Sequence, residues 1–278
     1  MQEIAPRVYI EDSYRGVVLG AVNIPRGLIL IDAPLHPDDI NSWRSALLNM
    51  GGGVNPLLVN LDAHCDRTIG SRNMECTVVG HRNNIQLFHD RPISLKSQAT
   101  DTGSEWEEID GLGSVRWAPP ELSFTDKMEV HCGDGVSILF EYHPGPTAGS
   151  IWVILPEQGV IFLGDTVVSK QPPLLADADL TAWIDALKLL TNTTYKNYLL
   201  VGGRNGLVTI SDVQNQTKYL RKVNRSMQSL ARKGVQPEDT ERLIPNLLSG
   251  FGMTDQYYKR LKYGLSQYYK RHYFSDDE

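Results

Sequence analysis

Cysteine is scarce in this chain. Three residues, Cys65, Cys76 and Cys132, are too few, odd in number and without CxxC spacing. They do not make a disulfide framework, and they suit a reducing cytoplasm better than a secreted protein. A membrane-spanning run is also missing, since no stretch approaches the roughly 18 apolar residues a helical span requires. The first residues, "MQEIAPRVYIEDSYRG", lack a basic segment followed by an apolar one, so they do not read as a secretory signal. There is no excess of positive charge either. The formal net charge is −6, which gives no electrostatic reason to expect nucleic acid as a partner. No Walker loop, no strand-to-helix Gly-x-Gly-x-x-Gly and no Gly-x-Ser-x-Gly elbow occurs. These gaps exclude the usual nucleotide sites and the serine hydrolase elbow. Internal repeats and low-complexity tracts are absent as well.

What is present is a chain of 278 residues, 41% hydrophobic and 22% charged, enough for a sizeable core. "RVYIEDS", "GVVLGAVNIP" and "GLILIDAP" are aliphatic and β-branched runs broken by Gly and Pro, and they predict strands. In "HPDDINSWRSALLNMG", Ile40, Trp43, Leu47 and Leu48 share a helical face. "NPLLVNLD" is an apolar run suited to a strand covered on both faces. "CTVVGH" and "GSVRWAPPELSF" predict further strands. A helix is expected between Ile85 and Leu95 or near Trp106. The stretch from "KMEVHCGDG" to "FLGDTVV" reads as a meander. "DADLTAWIDALKLLTNTTY" then reads as an amphipathic helix and "KNYLLVGG" as a strand. From Ser211 the pattern is helical, with breaks at 234–237 and 250–252. A β-rich half, a helix, a second β-rich half and further helices suggest an α/β fold, an αββα sandwich. The domain spans 1–210, with 211–278 a helical C-terminal extension packed on it.

Four short segments carry the chemistry. "NLDAHCDRTIGS" leaves a buried strand with Asp62, His64 and Asp66 at every second residue, followed by Arg67. "HPGPTAGS", "FLGDTVV" and "LVGGRNG" follow in that order. Together they resemble the metallo-β-lactamase superfamily over residues 5–210. Hydrolases of that family carry His-x-His-x-Asp-His after a strand. A Pro-Gly-His turn, a Gly-Asp-Thr and a late Gly-His follow. The resemblance implies that Asp62 stands at the first His, and that His64, Asp66 and Asp165 are retained. It also puts Arg67, Pro146 and Gly203 at three further His positions, with Arg204 beside the last. It places Asp32 behind the site as a supporting acid.

Proline and glycine offer no side-chain donor, and arginine stays protonated with no free lone pair. Zinc wants roughly four ligands at ~2.0 to 2.2 Å, so a dinuclear zinc site is not expected. Asp62, Asp66 and Asp165 would converge, and three such carboxylates need a cation. Two readings stand. In the favoured one no metal is bound, Arg67 with Arg204 supplies the charge, and the chain is a catalytically impaired binding or regulatory module. In the other, one divalent ion (Mg, Mn, Ca or Zn) sits on Asp62, His64, Asp66 and Asp165. There Asp66 would serve catalysis, in hydrolysis of an ester, lactone or phosphoester. His143 precedes the changed turn and could reach the pocket. His81, His89 and His131 read as structural or exposed, and Cys65 as a buried thiol. Asn83 to Gly113 and the helical end would form the walls. The Lys and Arg residues of the last third read as a solvated face. The aromatic face of "DQYYKRLKYGLSQYYKRHYF" reads as core or as a subunit interface, so a homo-oligomer is compatible with either reading, with a small molecule as ligand or substrate and neither nucleic acid nor membrane as partner.

Overall fold

The computed structural model describes residues 1–25, 27–50, 56–91, 95, 101–112, 115–133 and 136–274. Thirteen strands among them form two sheets. The first holds β1 (Gln2–Ala5), β2 (Val8–Glu11), β3 (Leu19–Ile24), β4 (Gly27–Ile31), β5 (Leu57–Val59), β6 (Thr77–His81) and β7 (Leu122–Phe124), side by side in that order. The second holds β8 (Lys127–Gly133), β9 (Val136–Tyr142), β10 (Ile151–Leu155), β11 (Val160–Phe162), β12 (Leu199–Gly202) and β13 (Gly206–Val208), laid out in reverse order.

Alternation along the strands decides how the layers stack. On β10, Ile151, Val153 and Leu155 join Ile29, Ile31 and Val59 of the first sheet in one core between the sheets. Trp152 and Ile154, pointing the other way, join the helices outside. Both faces are buried, so β10 reads as an unbroken apolar run. Helix α1 (Pro37–Asn49) covers the outer face of the first sheet, with Ile40, Trp43 and Leu47 against Leu28, Leu30 and Leu58. Pro37 opens it, and His36 caps it through the backbone N–H of Asp38. Two more helices, α2 (Cys65–Thr68) and α3 (Arg82–Asp90), belong to the site described below. The outer face of the second sheet is covered by α4 (Leu180–Leu190), α5 (Ile210–Ala231), α6 (Ile244–Leu248) and α7 (Asp255–Tyr273). Asp179 caps α4 through Thr181 and Ala182, and Thr209 with Asp212 forms a capping box on α5. This is the expected αββα sandwich with its C-terminal helices.

Some expectations change. Of "GSVRWAPPELSF" only Leu122–Phe124 is strand within the described residues; its first two residues are outside them, and Pro119 and Pro120 lack the N–H a ladder needs. Residues 134 and 135 of the Gly-Asp-Gly turn and parts of the wall segment 83–113 also lie outside the described residues. β1 and β13 were not read from the sequence. The aromatic face of α7 is covered by the chain itself, with Leu261, Leu265, Tyr268 and Tyr269 all buried.

Most pairs are antiparallel, but β4, β5, β6 and β7 run parallel, and so do β11 and β12. Strands β4 and β5 of one sheet and β11 and β12 of the other therefore end at one edge of the sandwich. Ile151 N–H bonds the Leu61 carbonyl at 2.8 Å, and Val18 N–H bonds the Gly203 carbonyl at 2.9 Å, stitching the layers there.

Candidate functional site

Carboxyl ends of parallel strands are where open α/β layers build sites, because the chain leaves the ladder there and its side chains are free to converge. Asp32 follows β4, Asp62 to Arg67 follow β5, Asp165 follows β11, and Gly203 with Arg204 follow β12. The turn after β5 is held locally. The Asp62 Oδ1 accepts the His64 N–H at 2.8 Å, and His64 Nδ1 accepts the Asp66 N–H at 3.2 Å. His64 is thus the N-cap of α2. The strand has ended before Asp66, which lies in the first turn of α2. Helix starts at Cys65, because the His64 cap satisfies a first-turn N–H.

Two guanidiniums tie the acids together. Arg67, with no exposed surface, donates from Nη1 to Asp32 and from Nη2 to Asp165, and its Nε bonds Asp62 at 3.1 Å. Arg204 forks onto Asp165, with Nε at 3.1 Å from both oxygens and Nη2 at 2.9 Å from one. Its Nη1 reaches Asp66 at 2.8 Å. Asp66 also accepts the backbone N–H groups of Trp106 at 2.9 Å and Glu105 at 3.2 Å. Asp32 accepts the Leu61 N–H at 3.1 Å. The sequence-predicted residues Asp62, Asp66, Arg67, Asp165 and Arg204 are therefore brought together. Asp32, expected only to support from behind, touches Arg67 directly.

Electrostatics follow the pairing. Burial works to raise Asp66 and Asp165, but Arg204 and its neighbours outweigh it and hold both below the ordinary range. Asp32 goes the other way: burial dominates, Arg67 offsets only part of it, and its pKa is pushed up to about 6. Four carboxylates face two guanidiniums, so a proton on Asp32 lowers the excess negative charge. Burial lowers His64 despite the nearby acids, so its imidazole is neutral at pH 7. Arg67 and Arg204 lie above their ordinary value in spite of burial, because the acids outweigh it.

A pair of zinc ions does not fit these residues. The inward oxygens of Asp32, Asp62 and Asp165 are taken by Arg67, a cation that cannot ligate. Gly203 shows how tightly: a Cβ there would collide with Arg67 Nη2, Asp165 Oδ1 and the backbone of Gly164. A histidine at this position has no room while Arg67 is in place. Among the described residues no three His, Cys, Asp or Glu side chains are grouped to hold an ion.

Beside the cluster lies a cavity of about 240 Å³. Asp62, His64, Pro146 and Asp165 form its floor, and Leu87, Trp106, Leu174, Leu175 and Tyr263 are among its walls. His64 Nε2 points to Ser104 Oγ at 3.5 Å, and Ser104 bonds Thr102 at 2.8 Å. His143 is elsewhere: its ring stacks on Trp152 at 3.7 Å, with Glu141 at 3.5 Å from Nε2. Cys65 borders the cavity with burial raising its pKa to about 11, a poorly ionised thiol.

The sequence missed Arg260. The basic residues of α7 read as a solvated face, yet Arg260 is 1% exposed. Its Nε bonds the Gly103 carbonyl at 2.9 Å, Nη2 pairs with Glu105 at 3.1 Å, and Nη1 reaches the Pro172 carbonyl at 3.2 Å. Nothing local distinguishes it from Lys259 or Lys262; only the packing of α7 does.

By sequence, a family described as the metallo-beta-lactamase superfamily matches residues 98–202. No curated protein sequence matches. Among solved structures, a metallo-beta-lactamase from Pontibacter korlensis is 19% identical, covering 79% of this chain and 97% of its own, with a TM-score of 0.62. A metallo-beta-lactamase family protein from Thermus thermophilus is 17% identical, covering 97% and 94%, at 0.64. The stereoselective inverting sec-alkylsulfatase Pisa1 from Pseudomonas sp. is 15% identical, covering 99% of this chain and 50% of that one, at 0.69. The chain has the metallo-β-lactamase superfamily fold. The resemblance carried by "NLDAHCDRTIGS", "HPGPTAGS", "FLGDTVV" and "LVGGRNG" is therefore the one the structure shows. No helix of the described residues is long and apolar enough to cross a membrane.

Proposed function

We propose that this chain is a metal-free binding or regulatory module on the metallo-β-lactamase fold, in which Arg67 and Arg204 supply the positive charge that holds the acids together. The observation that carries this is Arg67, fully buried and bonded to Asp32, Asp62 and Asp165 at once. A divalent ion would have to displace a guanidinium already enclosed by its partners, with Gly203 packed against it. Three unpaired thiols support a reducing, cytoplasmic setting.

The test is elemental analysis of protein purified without chelator and dialysed. Well under one equivalent of any ion is expected. Millimolar Zn²⁺, Mg²⁺, Mn²⁺ or Ca²⁺ should leave Tm unchanged, since an ion bound by the folded state alone would raise it. A stoichiometric ion, or a Tm rise specific to one metal, overturns the reading.

One observation favours a second reading, a single-ion hydrolase. His64, a residue type that ligates metals when neutral, has its pKa lowered by burial and lines the cavity beside Asp62 and Asp165. The reaction class would be that of ester, lactone or phosphoester hydrolysis, with Asp62, Asp66 and Asp165 as the other ligands. Hydrolysis of generic esters and phosphodiesters at the same rate in Asp66→Ala as in the parent would dispose of it.

A further inference from the structure

Arg91 follows α3 and lines the cavity. Its guanidinium sits in the corner of two rings that meet edge to face, with Cζ 4.4 Å from the Phe88 centroid and 4.6 Å from that of Trp117. Nη1 donates to Thr68 Oγ1 at 3.2 Å. Among the described residues it forms no ion pair, and residues 92–100, which follow it, contain no Asp or Glu. Burial holds its pKa below the ordinary value, and Cys65, Asp62 and Asp177 offset that only in part. An arginine has five N–H donors, and among the described residues Thr68 is the one acceptor on this fork.

The other charges around the cavity are engaged or screened. Asp62 and Asp165 belong to the Arg67 and Arg204 network. The fork of Arg260 is filled by Gly103, Gln171, Pro172 and Glu105. Asp90 and Asp177 are exposed, and Asp177 pairs with Arg271 at 2.8 Å. The remaining walls are largely apolar, among them Leu87, Trp106, Leu174 and Leu175. A mostly apolar cavity with one oriented cation selects an amphipathic anion.

We propose that the cavity binds a small organic anion, a carboxylate or similar oxyanion on an apolar body, with its charged end on Arg91. This deepens the binding-module reading and rests on it. The corner of Phe88 and Trp117 positions the guanidinium before the ligand arrives, which reduces the ordering cost of binding.

The test is calorimetric titration and thermal melting in EDTA with hexanoate, hexyl sulfate, hexylamine and hexanol. Hexanoate and hexyl sulfate should bind and raise Tm, and hexanol and hexylamine should be weaker by roughly ten-fold or more. Arg91→Met should lower the anions to the level of hexanol. Arg91→Lys, which keeps charge but loses the fork, should fall between, and it serves if the Met variant does not fold. Equal binding of hexanol or hexylamine, unchanged anion affinity in Arg91→Met, or no anion binding at millimolar concentration overturns the proposal. An ion found by elemental analysis would overturn the metal-free reading while leaving this discrimination standing; lost discrimination would leave the elemental analysis standing.

Discussion

Asp32 adopts φ 57° at the end of β4, a left-handed conformation that Asp tolerates better than most residues. That bend turns its carboxylate from the ladder toward Arg67 and the Leu61 N–H. Its neighbours include Asp62 as well as Arg67, and burial is the largest influence on it. In the unfolded chain it titrates near 3.8, and in the folded chain near 6. Between those values the folded state holds the extra proton, so Asp32 alone makes stability fall as pH rises through the window. Asp66 and Asp165, whose pKa values are lowered, contribute stability that is present above the ordinary carboxylate range and lost in acid. Asp32→Asn removes the first component and leaves the second. Urea unfolding of parent and variant from pH 4.5 to 7 checks this. The variant should gain on the parent with rising pH, by on the order of 2–3 kcal/mol across the window. A difference independent of pH would show that Asp32 titrates normally.

At the scale of elements, α7 is fastened to the cavity wall by the buried Arg260, alongside the exposed Arg271–Asp177 pair. Gly103 meets it so closely that a Cβ would collide with the backbone of Arg260 and Gln256. Arg260→Met would leave the Gly103 carbonyl and the Gln171 side chain without this donor, and Glu105 with Arg15 alone at 3.4 Å. We expect a loss of about 3–5 kcal/mol in denaturant unfolding, and faster hydrogen exchange at 102–105. Unchanged exchange there would place the role of Arg260 elsewhere. The same helix shows where sequence reading stops. Leu261, Leu265, Tyr268 and Tyr269 were legible because a 3.6-residue period repeats along α7. Arg260 was not, since the loops that bury it come from far along the chain. Likewise, the strand exit carrying Asp62, Asp66 and Arg67 could be read from its apolar run, whereas Asp165 and Arg204 were placed by the resemblance to the metallo-β-lactamase superfamily. The contact of Asp32 with Arg67 depends on a single backbone bend, and the corner that seats Arg91 depends on Phe88 meeting Trp117 across the chain. Neither leaves a periodic trace.

Across the whole molecule, the cluster lies where both sheets end and their loops meet. Arg67 reaches acids from both layers: Asp32 and Asp62 from the first sheet's loops, and Asp165 from the second's. Removing its charge leaves three buried carboxylates with one remaining guanidinium, Arg204, which touches only Asp165 among them. Breaking a buried pair by deleting one partner costs about 3–5 kcal/mol, because the desolvated charge that stays behind is uncompensated. Arg67→Met keeps much of the volume and removes the charge, so this cost should appear nearly whole. Since the link joins the two sheets, the loss should register as one cooperative shift in denaturation midpoint with the m-value unchanged. Part of it should return at lower pH, where Asp32, already at about 6, takes up a proton more readily still without its cation. Urea titrations of Arg67→Met at pH 7 and pH 5 measure both effects. A loss under about 1 kcal/mol, within the range of exposed pairs, would show that solvent reaches the cluster and that Arg67 does not hold the two layers together.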